Sequence, residues 1–326
     1  MNMKKIAVIT SGGDAPGMNA AIRAITKVGI FNSLEVIGFE DGFQGIIENR
    51  FVELTYSSVN NIIQLGGTII GTARSKEFMT IEGRKKAFNN LKKNTIDGLI
   101  VIGGDGSFAG AKCLLDEFDL PVIGIPGTID NDIEGTDYTI GYDTCLNTIV
   151  DAIDKIRDTA TSHHRIFFVE VMGRHAGKLA LNSAIASGAE DVLVPEKDQN
   201  IEDLANNLKS LNKGTRSSIV IVAEGDELGG AAKVCESIKP FLEEYDLRFS
   251  VLGHVQRGGN PSSFDRIVAT QMGVEAVSCL LEGEKEAMIG LHEGKIFRSS
   301  LTDPIYKTRK LNNDKIELLR KVRTLK

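Results

Sequence analysis

Residues 98–107 read Gly98-Leu99-Ile100-Val101-Ile102-Gly103-Gly104-Asp105-Gly106-Ser107. A short apolar run, rich in branched side chains and closed off by glycine, reads as a β-strand buried on both faces. Runs of the same kind recur at Lys5–Thr10, Leu34–Phe39, Pro121–Ile125, Arg165–Val171, Asp191–Val194, Ser218–Ala223 and Phe249–Leu252. Between them lie stretches with helical spacing, such as Ile22, Ile25 and Val28, or Ile149, Ile153 and Ile156. Strands alternating with helices imply parallel sheets covered on both sides, so the fold class is α/β. In open sheets of this kind ligands bind beyond the carboxyl ends of the strands. Ser11-Gly12-Gly13-Asp14, Gly103–Gly106, Gly127-Thr128-Ile129-Asp130 and Met172-Gly173-Arg174 all fall there, which directs them to one edge.

With 326 residues, 42% of them hydrophobic and 25% charged, the chain can bury two cores, since single cores stop growing at roughly 250–300 residues. Its 34 glycines against 7 prolines suit tight turns that touch ligands better than disorder. A net charge of −6 argues against nucleic acid, whose binding rests on a basic face neutralising phosphates. Any phosphate ligand must therefore be held by local arginines. Cys113, Cys145, Cys235 and Cys279 lie far apart without a C-x-x-C pair, so neither a disulfide framework nor a zinc site is expected. The run Ile6–Ile9 is too short for a signal peptide, and no stretch approaches the ~18 apolar residues that span a membrane. A soluble, cytoplasmic protein with no membrane partner is expected.

Each loop has a chemical reading. Ser11–Asn19 joins a strand to a helix, where free backbone N–H groups and the helix dipole attract phosphate. No G-x-x-x-x-G-K-[ST] and no G-x-G-x-x-G occurs, which disfavours a P-loop or a dinucleotide site. In Gly103–Ser107 the glycines let backbone approach a triphosphate while Asp105 could hold magnesium. In Pro126–Asp132 two carboxylates, Asp130 and Asp132, stand two residues apart beside Thr128, and one could take a proton from an attacking sugar hydroxyl. Arg74, Arg165, Arg174, Arg248 and Arg257 offer guanidinium forks that match phosphate oxygens, with His254 beside the last of them. Glu224 ends the strand Ser218–Ala223 and could bond sugar hydroxyls. Ordinary turns, caps and surface ion pairs would use the same residue types. A metal carboxylate, a base, a phosphate cradle and several arginines are the parts that phosphoryl transfer requires, without naming a substrate.

At Ser11–Ala21, Gly103–Ser107, Pro126–Asp132, Glu170–Arg174 and Leu252–Gly259, in that order and spacing, the chain resembles the bacterial ATP-dependent 6-phosphofructokinases up to about residue 290. The resemblance implies two Rossmann-like domains. One, for ATP, would comprise residues 1–140 plus about 256–305, the other, for sugar phosphate, 141–255 plus about 306–326. It implies that Gly12, Arg74, Ser75, Gly104, Asp105, Gly106 and Ser107 bind ATP, with Asp105 holding its Mg2+. Asp130 would be the base on the C1 hydroxyl, with Asp132 in support, while Arg74, Thr128 and Arg174 stabilise the transferring phosphoryl group. Fructose 6-phosphate would be held by Thr128, Ile129, Asp130, Met172, Gly173, Arg174 and Glu224, and by His254, Val255, Gln256 and Arg257. Arg165 and Arg248 would reach the 6-phosphate from a neighbouring subunit of a homotetramer.

Two further expectations follow from the resemblance. Pyrophosphate-using relatives carry Asp where Gly106 stands and Lys where Gly127 stands, so this chain is expected to use ATP. An effector site for ADP or phosphoenolpyruvate would draw on Arg23, Lys27, Arg157, Gly188, Glu190, Lys213, Thr215 and Arg216. Lys27, Tyr56 and Thr215 stand where the family has arginine, arginine and lysine. Lysine lacks the bidentate fork and tyrosine lacks the charge, so an attenuated effector response is expected. Fructose 6-phosphate saturation curves with and without ADP or phosphoenolpyruvate should nearly superimpose, and a strong shift would contradict the expectation. Rival readings are a pyrophosphate enzyme, a kinase for a related sugar such as tagatose 6-phosphate, a silent effector-binding subunit, and a nucleotide kinase with a G-G-D-G loop. The last leaves the Asp130 loop and the later arginines unexplained.

Overall fold

The computed structural model describes residues 3–197, 200–212, 217–307 and 309–323. Among these residues the strands are β1 (Lys5–Ser11), β2 (Glu35–Phe39), β3 (Phe51–Glu53), β4 (Gly98–Gly103), β5 (Val122–Pro126) and β6 (Arg165–Val171). They continue with β7 (Asp191–Leu193), β8 (Ser218–Ala223), β9 (Asp246–Val251), β10 (Glu286–His292) and β11 (Lys295–Ser299). The chain divides into two compact units. One comprises the residues up to Ile129, Ile133–Thr144 and Arg257–Arg309; the other comprises Asp130–Asp132, Cys145–Gln256 and the residues from Lys310 on.

The first unit holds a seven-stranded sheet in the order β11-β10-β5-β4-β1-β2-β3. Its centre is parallel, with Ala7 beside Leu99 and Ile100 beside Ile123. β4 has a neighbour on each edge and layers on both faces, which is why every residue of Gly98–Gly103 is buried. Ile9, Phe39, Phe43, Val101, Phe108 and Leu114 form one core of this unit. The outer pairs β2–β3 and β10–β11 are antiparallel. β10 and β11 meet through the two-residue turn Glu293-Gly294, both at positive φ (49° and 78°). That mirror-image turn matches the right-handed twist of paired strands. The strand runs read from the sequence do not include β3, β10 or β11; Glu293-Gly294 is the local signal for the last pair.

The second unit holds the parallel order β7-β8-β6-β9. Ile166, Phe168, Leu193, Val220, Val222 and Val234 fill its core. The run Phe249–Leu252, expected from its apolar composition to be buried on both faces, instead belongs to β9, a terminal strand that among the described residues pairs only with β6, and Phe249 is 50% and Val251 54% exposed. Apolar composition alone does not distinguish a central strand from an edge strand.

Asp265, near the start of the helix Ser263–Leu281, is 1% exposed and ties down the start of the helix Tyr142–His163. Its Oδ1 accepts from the Gly141 N–H at 2.9 Å, and its Oδ2 from the Thr144 N–H at 2.8 Å and the Thr144 hydroxyl at 2.5 Å. Burial outweighs these donors and pushes the carboxyl up to about 6 from 3.8. A folded-state value raised in this way favours the protonated form, so its contribution to stability is complete below the unfolded value and is lost as pH rises through about 6. Between those two values the loss is about 3 kcal/mol. Urea midpoints of the native chain and of Asp265→Asn, which does not titrate, should therefore diverge steadily over that range. A constant difference between the two would refute the assignment.

Candidate active site

In the first unit the carboxyl ends of β1 and β4 are stitched together by side-chain hydroxyls. The buried Ser107 Oγ donates to the Ser11 carbonyl at 3.0 Å. Thr10 Oγ1 donates to the Gly71 carbonyl at 2.6 Å, and Thr72 Oγ1 to the Gly12 carbonyl at 2.9 Å. Three glycine-bearing segments are thus held side by side. Gly12 stands at φ 89°, a left-handed conformation that glycine adopts without strain. The helix Asp105–Phe118 starts at Gly104 with no side-chain cap on that residue, so the positive end of its dipole opens at the carboxyl end of β4, while the Ser107 N–H turns back to the Gly104 carbonyl at 3.0 Å. Asp105 Oδ1 accepts from the Gly106 N–H at 2.7 Å, and the residue is exposed. A Cβ built on Gly104 or Gly106 would meet nothing within 4 Å.

Other expected nucleotide residues are committed within the fold. Ser75 Oγ donates to Gln44 Oε1 at 2.6 Å and accepts from the Phe78 N–H at 3.1 Å. Arg74 beside it is exposed. Arg257, expected on the sugar phosphate, lies against the first glycine loop: its Nη1 donates to the Asp14 carbonyl at 3.4 Å and would stand 2.4 Å from a Cβ on Gly13. The Thr128 N–H donates to the Ile140 carbonyl at 3.1 Å, and Ile129 is fully buried, so its side chain packs in the core.

In the second unit the loop after β6 is fixed from two sides. Glu224 Oε1 accepts from the Arg174 N–H at 2.8 Å and the Gly173 N–H at 3.3 Å. Gln256, with no exposed surface, accepts from the Met172 N–H at 3.0 Å and donates to the Gly253 carbonyl at 2.9 Å. The Gln256 side chain therefore positions Met172 and does not face outward. Gly225 cannot be enlarged, because a Cβ there would sit 1.8 Å from the Arg174 carbonyl oxygen. Gly173 (φ 138°) and Arg174 (φ 50°) both lie at positive φ. This backbone brings Arg174 Nε to 3.7 Å from Asp130 Oδ2, with the arginine side chain 46% exposed and the aspartate side chain 4%. Asn131, next to that carboxylate, stands at φ 52° and accepts from Lys178 Nζ at 2.9 Å. Lys178 was not among the expected site residues; its sequence signal is a single lysine, directly after Gly177, in an otherwise apolar helix start.

Arg165 and Arg248 come together around one carboxylate. Arg165 Nε bonds Asp246 Oδ2 at 2.6 Å, and Arg248 Nη2 lies 3.0 Å from Asp246 Oδ1. Hydrogen bonding from Arg165 holds the Asp246 carboxyl below its usual value. Arg248 remains 52% exposed on the edge strand. His254 and Val255 are exposed on the turn Gly253–Arg257.

Of the expected effector residues, Arg157 bonds the Ser187 and Gly188 carbonyls at 3.0 and 3.1 Å and pairs with Glu190 at 3.5 Å. Arg23 is half-buried on the first helix, and Lys27 Nζ sits 5.8 Å from the Tyr56 ring centroid. Lys213, Thr215 and Arg216 lie outside the described residues.

The architecture and these loops define an α/β protein of two parallel-sheet units, with glycine turns and an uncapped helix start at strand carboxyl ends. The phosphofructokinase family model matches residues 5–280, and the chain belongs to the phosphofructokinase family. It is 50% identical over 321 residues to an ATP-dependent 6-phosphofructokinase 2 of Bacteroides thetaiotaomicron, covering 98% of each chain. Among solved structures it resembles Pichia pastoris phosphofructokinase in the T-state, with a TM-score of 0.88 and 40% identity; the match spans 99% of this chain and 37% of that one. A pyrophosphate-dependent phosphofructokinase from Marinobacter aquaeolei shares the fold, with a TM-score of 0.86 at 20% identity over 96% of this chain and 86% of that one.

Proposed function

We propose that the chain is an ATP-dependent 6-phosphofructokinase, which moves the γ-phosphoryl group of ATP to the C1 hydroxyl of fructose 6-phosphate. The products are fructose 1,6-bisphosphate and ADP, the committed step of glycolysis. The observation that carries this reading is Asp130, a carboxylate 3% exposed and paired with the half-exposed Arg174. Shielded from water and next to a cation, it would accept the hydroxyl proton as the oxygen attacks.

The donor loops would be those of the first unit, Gly12, Arg74, Ser75 and Gly104–Ser107, with the dipole of the helix Asp105–Phe118 attracting phosphate oxygens to its start. Because Ser75 uses its hydroxyl within the protein, it would serve through backbone, whereas Ser107, whose hydroxyl bonds the Ser11 carbonyl and whose N–H bonds the Gly104 carbonyl, would serve by holding the two glycine loops together. Among the described residues no group of three or more His, Cys, Asp or Glu side chains could hold a metal alone. One exposed carboxylate is nevertheless what a nucleotide-borne Mg2+ asks of a protein, and Asp105 supplies it. Such an ion neutralises charge on the triphosphate oxygens.

Arg74, Arg174 and Thr128 would stabilise the transferring group, with Asp132 in support, and Glu224 would act by holding the Gly173 and Arg174 amides in place. Met172, Gly173, Glu224 and the turn of His254 and Val255 would receive fructose 6-phosphate, with Gln256 setting the Met172 amide. Arg257 would serve from the first glycine loop. Arg165 on β6 and Arg248 on the edge strand β9, gathered around Asp246, would complete the sugar-phosphate site of a second copy in a homotetramer. The Lys27–Tyr56 contact supports an attenuated response to ADP or phosphoenolpyruvate, since the ammonium faces a ring instead of a free anion site. No described helix is long and apolar enough to cross a membrane, and the cytoplasm is the proposed place of action.

Phosphorus NMR of the protein with fructose 6-phosphate, Mg2+ and either ATP or pyrophosphate tests the proposal. Fructose 1,6-bisphosphate is expected with ATP alone. Turnover with pyrophosphate would overturn the donor assignment, and no turnover with either would return weight to a ligand-sensing subunit.

A further inference from the structure

Local chemistry argues against a lysine at position 178. It is the first residue of the helix Lys178–Ser187, where aligned peptide dipoles disfavour a cation. It is also only 7% exposed, so its ammonium has given up most of its water. A residue that breaks two local rules is usually kept for the contact it makes. One such contact is the bond from Nζ to the Asn131 carbonyl at 2.9 Å. Asn131 lies between Asp130 and Asp132 and stands at φ 52°, in the left-handed region that L residues other than asparagine and aspartate rarely adopt.

We propose that Lys178 is a positioning residue for Asp130: its buried ammonium clamps the Asn131 carbonyl and so holds the base loop in its left-handed conformation. This rests on the assignment of Asp130 as the base. Rotation of the peptide plane after Asn131 would take the carbonyl away from a buried ammonium, which resists the loss of an acceptor. The backbone from which Lys178 reaches is itself anchored, because the Gly177 N–H is bonded to both carboxylate oxygens of Glu196 at 2.8 and 3.1 Å. One short segment thus carries two cations that act on the same loop. Arg174 pairs with the Asp130 carboxylate, and four residues later Lys178 holds the carbonyl that follows it.

The test compares Lys178→Met, which removes donor and charge at similar length, with Lys178→Gln, a neutral donor, and Lys178→Arg, a charged one. Fructose 6-phosphate turnover with ATP and thermal midpoints are measured for each. A displaced base should lower kcat roughly 10- to 100-fold in the methionine variant while both KM values stay within about threefold. Activity should recover in the order Met, Gln, Arg. A methionine variant within about threefold of native kcat overturns the proposal. So does an arginine variant that recovers no kcat while keeping its thermal midpoint. If the methionine variant does not fold, the glutamine and arginine pair gives the same comparison. Absence of turnover in the native protein defeats the base assignment itself and is seen before any variant is made.

Discussion

Asp130→Ser is expected to lower kcat for fructose 6-phosphate phosphorylation by about 10²- to 10⁴-fold, the range a positioned general base contributes. A serine hydroxyl is not a competent proton acceptor at neutral pH and cannot restore the pairing with Arg174. The substitution should not unfold the chain, because it replaces an almost fully buried carboxylate with a neutral group. The cation it leaves behind is 46% exposed and can be solvated. Initial rates at saturating ATP, with the thermal midpoint as a folding control, measure the effect. A variant within tenfold of native kcat would remove Asp130 from the chemistry and transfer attention to Asp132.

Gly106→Asp should reduce kcat/KM for ATP by roughly 10²- to 10³-fold, since like charges brought together at a binding surface cost several kcal/mol. The site can accept the side chain in the absence of nucleotide: a Cβ at Gly106 meets nothing within 4 Å. The position lies in the first turn of the helix Asp105–Phe118, where an added carboxylate complements the helix dipole. The thermal midpoint should therefore hold or rise while ATP use falls, a combination that general destabilisation cannot produce. Gly127→Lys is a poorer probe of the same question, because a Cβ there would stand 3.0 Å from Ile102 Cγ2 and 3.1 Å from Met18 Cε. Any loss in that variant would mix packing with charge. An ATP kcat/KM unchanged in Gly106→Asp would mean that the triphosphate does not pass this glycine.

Much of the candidate site was legible because its residues lie close together along the chain. Gly103–Ser107 and Met172–Arg174 each sit within a residue of a strand end, and Pro126–Asp132 starts on one; strand ends are visible in apolar runs. What those residues do was less legible. Glu224 and Gln256 read as ligand contacts, yet the structure shows them bonded to backbone amides 50 or more positions away. Asp246 joins Arg165 to Arg248 across the register of β6 and β9, a pairing that depends on strand order.

The amino-acid sequence by itself determined the α/β class, most of the buried parallel strands, and the glycine and carboxylate loops at their carboxyl ends. Hydrophobic period, glycine and strand length are properties of neighbouring residues, and backbone sterics turn them into strands and turns wherever the chain runs. Only the tertiary structure decided that β9 is an edge, that Arg257 rests on the first glycine loop, that Asp265 ties down the helix Tyr142–His163, and that Lys178 reaches Asn131. These depend on which strand lies beside which and on how deeply a charge is buried. Both are set by packing between segments 47 to 243 residues apart along the chain, and no local period records such distances.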